Sequence, residues 1–247
     1  MRGFISAIQF LTIIPIGTRM AISPRRLSSA TTYFPLVGLL LGLILVGINS
    51  FLSAMMVDPF LIKVVLIILL IILTGGLHLD GLADTVDAFG SRKSRTDILK
   101  IMRDSHIGTM GVLGLVSVIL LKIALLNAIN PKVLNISLVL MCILSRYSLV
   151  LSLYLFRYGR QEGKAKVFAK NTTPRIFIIA TIMTLFFAIV ILKVTGFAIF
   201  ILTAIFAFLI GLFVLKRIAG ITGDTLGATN ELTEIFVLML ILISTGG

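Results

Sequence analysis

Seven apolar stretches punctuate the chain, near 34–53, 60–76, 109–129, 133–156, 175–194, 197–215 and 226–244. Crossing a hydrocarbon core of about 30 Å takes roughly 20 helical residues, so each stretch is a candidate membrane span. The second is short but runs without a break from Lys63 to Leu73 and continues through Gly75 and Gly76. Only Lys193 to Gly196 separate the fifth and sixth, which predicts a tight antiparallel pair. Ahead of them, Phe10 to Ile16 form a shorter apolar run behind Arg2. It is closed by Pro15 and Gly17 with no small-x-small cleavage site after it. Residues 1–18 are therefore expected to form a short helix lying in the interface, with an eighth span as the alternative. The fold class expected is therefore an all-α integral membrane protein, with about seven transmembrane helices and an N-terminal interfacial helix. Residues 1–33 form the interfacial segment and 34–247 a single transmembrane domain, with active-site loops near 77–108, 157–175 and 216–226.

Composition supports this reading and then adds a direction. Hydrophobic residues make up 58% of the 247, against 22 Lys and Arg and 10 Asp and Glu, a net charge of +12. A soluble enzyme, a disordered tail and a disulfide scaffold are all excluded. The lone cysteine, Cys142, lies inside an apolar run. Seventeen basic residues fall in the N-terminal segment and in the loops after the second, fourth and sixth stretches, while the alternate connections hold only Lys63, Lys132 and Lys193. The positive-inside rule then places the N-terminus and the large loops in the cytoplasm of a multi-pass cell-membrane protein. It also explains the basic excess without nucleic acid.

The acids carry the chemistry. Nine of the ten fall on or near that same side, and only Asp58 faces out. The densest group runs from Gly75 to Gly90. If helical, it sets Asp80, Asp84 and Asp87 within about 60° of one another. Like charges at that spacing repel, so a cation between them is expected. Hard oxygen donors without His or Cys on the same face favour Mg²⁺ or Mn²⁺ over zinc. His78 points to the opposite side and is expected to cap or hydrogen-bond rather than ligate. A merely solvated loop would account for the acids, but Leu79, Leu82, Ala83, Val86 and Phe89 hold the segment against protein or membrane.

Two further groups adjoin it. Arg103-Asp104-Ser105-His106-Ile107-Gly108 leads into the third stretch, where glycines at a helix start let backbone N–H groups approach a phosphate. The other begins at Gly220 and carries Asp224, Asn230, Glu231 and Glu234 into the last stretch. Carboxylates inside a span default to function and call for a partner. Arg146, roughly 15 Å deep in the fourth stretch, faces the interior either as counter-ion to Glu231 or Glu234 or as a clamp on a substrate phosphate. Acids for Mg²⁺ among arginines and glycine-rich helix starts suit the handling of a phosphate ester.

The run Leu77-His78-Leu79-Asp80-Gly81-Leu82-Ala83-Asp84-Thr85-Val86-Asp87-Ala88, followed by Arg103 to Gly111, closely resembles the cobalamin (5'-phosphate) synthase family, also called adenosylcobinamide-GDP ribazoletransferases. Gln9 to Pro15, Phe34 to Gly38 and Thr222 to Ala228 are similar to the same family. The resemblance implies Mg²⁺-dependent transfer from adenosylcobinamide-GDP to α-ribazole 5'-phosphate or α-ribazole, with release of GMP. It implies catalytic and metal-binding roles for Asp80, Asp84, Asp87 and Asp104, the last as ligand or general base. Substrate contacts would come from Arg103, His106, Gly108, Arg146, Asp224, Asn230 and Glu231. The partners implied are these substrates and the lipid bilayer, with a homo-oligomer compatible with such a bundle.

Two other classes compete. The CDP-alcohol phosphotransferases share an Asp-x-x-Asp motif, but their pattern has Ala-Arg where Ala83 is followed here by Asp84. A transporter would also bury carboxylates, though at the midplane between broken helices rather than gathered at one face.

Overall fold

The computed structural model describes residues 2–16, 29–91, 93–160 and 162–246. Ten helices account for most of them: α1 (Arg2–Leu11), α2 (Phe34–Ala54), α3 (Pro59–Thr74), α4 (Leu77–Gly90), α5 (Arg95–Ile101), α6 (Thr109–Ala128), α7 (Pro131–Leu155), α8 (Lys164–Asn171), α9 (Pro174–Ile218) and α10 (Gly223–Thr245). No strand forms among the described residues beyond a single parallel bridge between Tyr158 and Ile221. Of the basic residues used to orient the chain, Arg19, Arg25, Arg26 and Arg92 lie outside the described set, as do the side chains of Arg2 and Lys164.

Five helical segments are long and apolar enough to cross a membrane, and α3 with α4 makes a sixth if that bent pair is taken together. The 45-residue α9 would be roughly 68 Å long if straight. Instead it breaks at Leu192 and Lys193, whose backbone angles are non-helical. Ala188 and Gly196 then lie backbone against backbone, as in a folded hairpin. The fifth and sixth stretches are thus the two arms of α9, as the short polar divider predicts.

Helix α7 is the axis of the bundle. Every residue from Ser137 to Leu153 is buried, so neighbours cover it on all sides: α2, α9 and α10 pack along it. Long apolar side chains on the outer faces of α2, α6 and α9 remain exposed, among them Leu43, Leu120, Phe186, Val190 and Leu209. That surface suits lipid and would be a liability in water.

Helix α1 has ten residues and spans about 15 Å, too short to cross. It buries Ala7, Ile8 and Leu11 against the bundle, and the chain after it is tied to the end of α3 by Ile13 N–H donating to Leu73 O at 2.8 Å. There α3 stops. Gly75 and Gly76 both adopt left-handed backbone (φ 61° and 69°), which a side chain disfavours. The turn they make bends α4 by 91° from α3. Helix α4 therefore lies across the end of the bundle, and α1, α4, α8 and the loops at 156–160 and 219–222 meet at that end.

Candidate functional site

Helix α4 buries His78, Gly81, Leu82, Ala83, Thr85 and Ala88 and turns Asp80, Asp84 and Asp87 away from them, as the 3.6-residue period predicts. Its inner face meets the start of α10 at unusually close range. A Cβ on Gly81 would lie 2.7 Å from Asp224 O, and one on Gly227 2.8 Å from His78 O. These two glycines let the helices touch backbone to backbone and carry Asp224 up to the acids of α4. The α10 N-terminus is fixed by a reciprocal cap between Thr222 and Thr225, and its positive end favours Asp224 in the first turn.

The carboxylates feel one another. Asp84 is pushed up to about 6, first by partial burial and then by Asp224 and Asp80. Asp224 forms an ion pair with Arg160 at 2.6 Å. Arg160 is presented by the loop that pairs with residues 219–221, where Gly159 N–H donates to Ile221 O at 2.7 Å and Ile221 N–H to Arg157 O at 2.9 Å. Arg217 closes the same end of the bundle by donating to Phe89 O at 2.6 Å.

Below these polar groups lies a cavity of about 310 Å³. Asp80, Asp224, Arg160, Tyr158 and His78 contribute its polar lining, and Phe10, Phe34, Phe168, Leu149 and Leu153 its apolar wall. A second, more open groove of about 690 Å³ runs beside it between the 12–16 segment, the α3–α4 turn and α6. Asp80, Leu77 and Phe10 border both.

Several residues sit elsewhere than expected. Asp87 shares the α4 face, but its carboxylate is engaged: Gly108 N–H donates to Oδ2 and Gly111 N–H to Oδ1, each at 2.7 Å. The start of α6, read above as a phosphate cradle at Gly108, is thus filled by the protein's own anion, which the helix dipole favours. Asp104 lies on an exposed turn and accepts from His106 through both ring nitrogen (2.7 Å) and backbone N–H (3.1 Å). Those bonds hold its carboxyl below the usual range. The His106 side chain is 90% exposed, and Arg103 is exposed too. The structure therefore brings together Asp80, Asp84 and Asp224 and leaves Asp104 and His106 paired with each other.

Arg146, Asn230 and Glu231 depart further from a substrate-binding role, because they are sealed inside. Arg146 Nη1 donates to Glu234 Oε1 at 2.5 Å, and Lys122 Nζ to Glu231 Oε2 at 2.6 Å and to Glu234 Oε2. Asn230 Nδ2 also donates to Glu234, at 3.1 Å. Arg146 and Glu234 are each 1% exposed. The space beside the cluster is about 10 Å³, room for one water at most. Of the two readings open for Arg146, the counter-ion holds, with Glu234 as its partner. Two cations against two carboxylates leave this network neutral, which is how a membrane-embedded charge cluster persists.

Sequence reasoning missed Lys122 as that second cation. A lysine inside an apolar stretch was the available signal, since it too demands a partner. It also missed Arg160, which looked like one more loop cation, and the aromatic wall, whose three rings come from α1, α2 and α8.

Comparison with known proteins decides between the candidate classes. A sequence model of cobalamin-5-phosphate synthases matches residues 3–242. The chain belongs to the cobalamin-5-phosphate synthase family. It is 35% identical over 240 residues to the adenosylcobinamide-GDP ribazoletransferase of Caldanaerobacter subterraneus subsp. tengcongensis, covering 95% of each chain. To the enzyme of that name from Clostridium novyi (strain NT) it is 34% identical over 251 residues, covering 100% of this chain and 98% of the relative. To that of Escherichia coli (strain K12 / DH10B) it is 36% identical over 244 residues, covering 97% and 98%. No solved structure matches the chain. Membership makes this cobalamin-5-phosphate synthase family member a transferase of cobalamin synthesis with a membrane-embedded helical body, and the phospholipid-enzyme and transporter readings fall away.

Proposed function

We propose that this chain transfers adenosylcobinamide phosphate from adenosylcobinamide-GDP to α-ribazole 5'-phosphate or α-ribazole, forming adenosylcobalamin 5'-phosphate or adenosylcobalamin and releasing GMP, at the α4–α10 junction. The observation that carries this reading is the convergence of Asp80, Asp224 and Arg160 on one cavity, with Asp84 close enough to feel their charges, in a chain similar along its whole length to enzymes of that name.

In this reading an acceptor hydroxyl on the ribazole sugar attacks the phosphorus nearest the cobinamide. An oxygen–phosphorus bond forms there, the bond to the GMP oxygen breaks, and the hydroxyl proton passes to a carboxylate of the cluster. Arg160 neutralises charge on the phosphates while remaining oriented by Asp224. Mg²⁺ would be held by Asp80 and Asp84, and when bound would offset charge on the diphosphate oxygens. The donor set fits that ion. No three His, Cys, Asp or Glu side chains among the described residues are gathered closely enough to enclose a metal. Mg²⁺ needs no such enclosure, taking one or two carboxylates with substrate phosphates and waters. Asp87 is left to hold α6 in place. The bias of basic residues supports a cytoplasmic orientation for this end in the cell membrane.

The test is product release. Purified chain in lipid nanodiscs, given Mg²⁺, adenosylcobinamide-GDP and α-ribazole 5'-phosphate, is expected to release GMP with matching corrinoid product on chromatography. Absence of GMP above background would overturn the activity. Asp84→Asn is expected to lower the rate at least a hundredfold, and an unchanged rate would overturn the site alone.

A further inference from the structure

The 310 Å³ cavity is built from two unlike halves. On one side three phenyl rings from separate elements meet: Phe10 lies 4.3 Å from Phe168 and 6.0 Å from Phe34 between centroids, and Phe34 lies 5.6 Å from Phe168. On the other stand Asp224 and Arg160. His78, 4% exposed, also borders the cavity, and its Nδ1 is buried without a hydrogen-bond partner. Buried polar atoms are rarely left this way, and each one calls for an explanation.

Size and polarity select among the parts of the two substrates. At about 310 Å³ the cavity stands at the low end of small-molecule sites, too small for a corrin ring and suited to one bicyclic base with its sugar. Guanine would set amide and amine edges against the phenyl wall, leaving them unpaired. The dimethylated benzimidazole of α-ribazole is hydrocarbon over most of its outline and has one free ring nitrogen. We propose that this cavity is the subsite for the acceptor's aromatic base, with Phe10, Phe34 and Phe168 packing the ring system and His78 positioned to hydrogen-bond its free ring nitrogen. The sugar then reaches Arg160 and Asp224, and through them the α4 carboxylates. This assignment rests on the transfer reading above and says which substrate occupies which space.

Steady-state kinetics on the full chain in nanodiscs separates the two. GMP release by the unaltered protein reports on the transfer reading; variants report on the subsite. Phe168→Ala is expected to raise KM for the acceptor at least tenfold while KM for adenosylcobinamide-GDP stays within twofold, with Phe168→Leu intermediate. An acceptor KM that does not move, or a donor KM that rises in its place, overturns the assignment. For His78, benzimidazole and indole riboside phosphates are compared, since indole lacks the free ring nitrogen. The unaltered protein is expected to favour benzimidazole about tenfold in kcat/KM, the worth of one hydrogen bond. In His78→Ala the ratio falls towards one, and in His78→Gln, which keeps a donor, much of it returns. Because a ratio cancels the amount of folded enzyme, loss of yield cannot mimic the effect, and a ratio unchanged by His78→Ala overturns the role given to His78.

Discussion

Glu234 is the keystone of the buried charge network, and its replacement by glutamine tests that description. Glu234 meets both cations, whereas Glu231 meets Lys122 alone. Glu234→Gln therefore leaves Arg146 without any carboxylate, while Glu231→Gln leaves Lys122 still paired with Glu234. A unit charge pair at the 2.5 Å of Arg146 and Glu234 attracts by about 7 kcal/mol at an effective dielectric of about 20. Desolvation offsets much of this in the intact pair, but removing one partner exposes the uncompensated charge, at about 3–5 kcal/mol. Glu234→Gln should accordingly lower the melting temperature by roughly 6–20 °C in a chain of this size. Glu231→Gln should lose clearly less. Reversible unfolding in mixed micelles, with a double-mutant cycle on Arg146→Gln and Glu234→Gln, gives the coupling directly. Equal losses for the two glutamate variants, or a coupling near zero, would refute the assignment of Glu234 as the shared counter-ion.

Asp87→Ala removes both acceptors at the start of α6 and should cost about 1–2 kcal/mol locally. Amide exchange at Gly108 and Gly111 should then speed up roughly 5–30-fold, whereas unchanged protection would mean the carboxylate does not hold them. Asp84, raised from 3.8 to about 6 in the folded chain, binds a proton more tightly folded than unfolded. Its contribution to stability is therefore full below about 4 and is lost as pH rises through about 6. Without Mg²⁺, the carboxyl signal of labelled Asp84 should titrate near 6. A midpoint near 4 would show that neither burial nor the nearby Asp224 and Asp80 raise it.

Much of this architecture is legible in the chain because lipid imposes one requirement everywhere: backbone groups must be satisfied within each segment. The all-helical membrane body, the α9 hairpin at Lys193 and the one-sided acids of α4 all follow from local pattern. What escaped was pairing across the fold. Asp84 and Asp224 are 140 positions apart in the numbering yet share a site because Gly81 and Gly227 remove the side chains between two helices. Asp87 reads as a third ligand from its spacing alone, and only the approach of Gly108 and Gly111 reveals a different use for it. Arg146 and Asn230 have the composition of a binding site, but burial without space makes them structural. The aromatic wall is invisible to any window, since α8 supplies Phe168 long after α1 supplies Phe10.

The buried network also has an order in time. Lys122 precedes Glu231 and Glu234 by 109 and 112 positions, and Arg146 precedes Glu234 by 88. During synthesis, α6 and α7 therefore emerge with cations that have no carboxylate to meet until the final helix leaves the ribosome. Until then the bundle cannot close dry, and the α4–α10 junction does not exist. A chain cut short before α10 keeps Lys122 and Arg146 without the carboxylates that neutralise them. Completion of the last helix thus both neutralises the buried cations and brings Asp224 to the acids of α4.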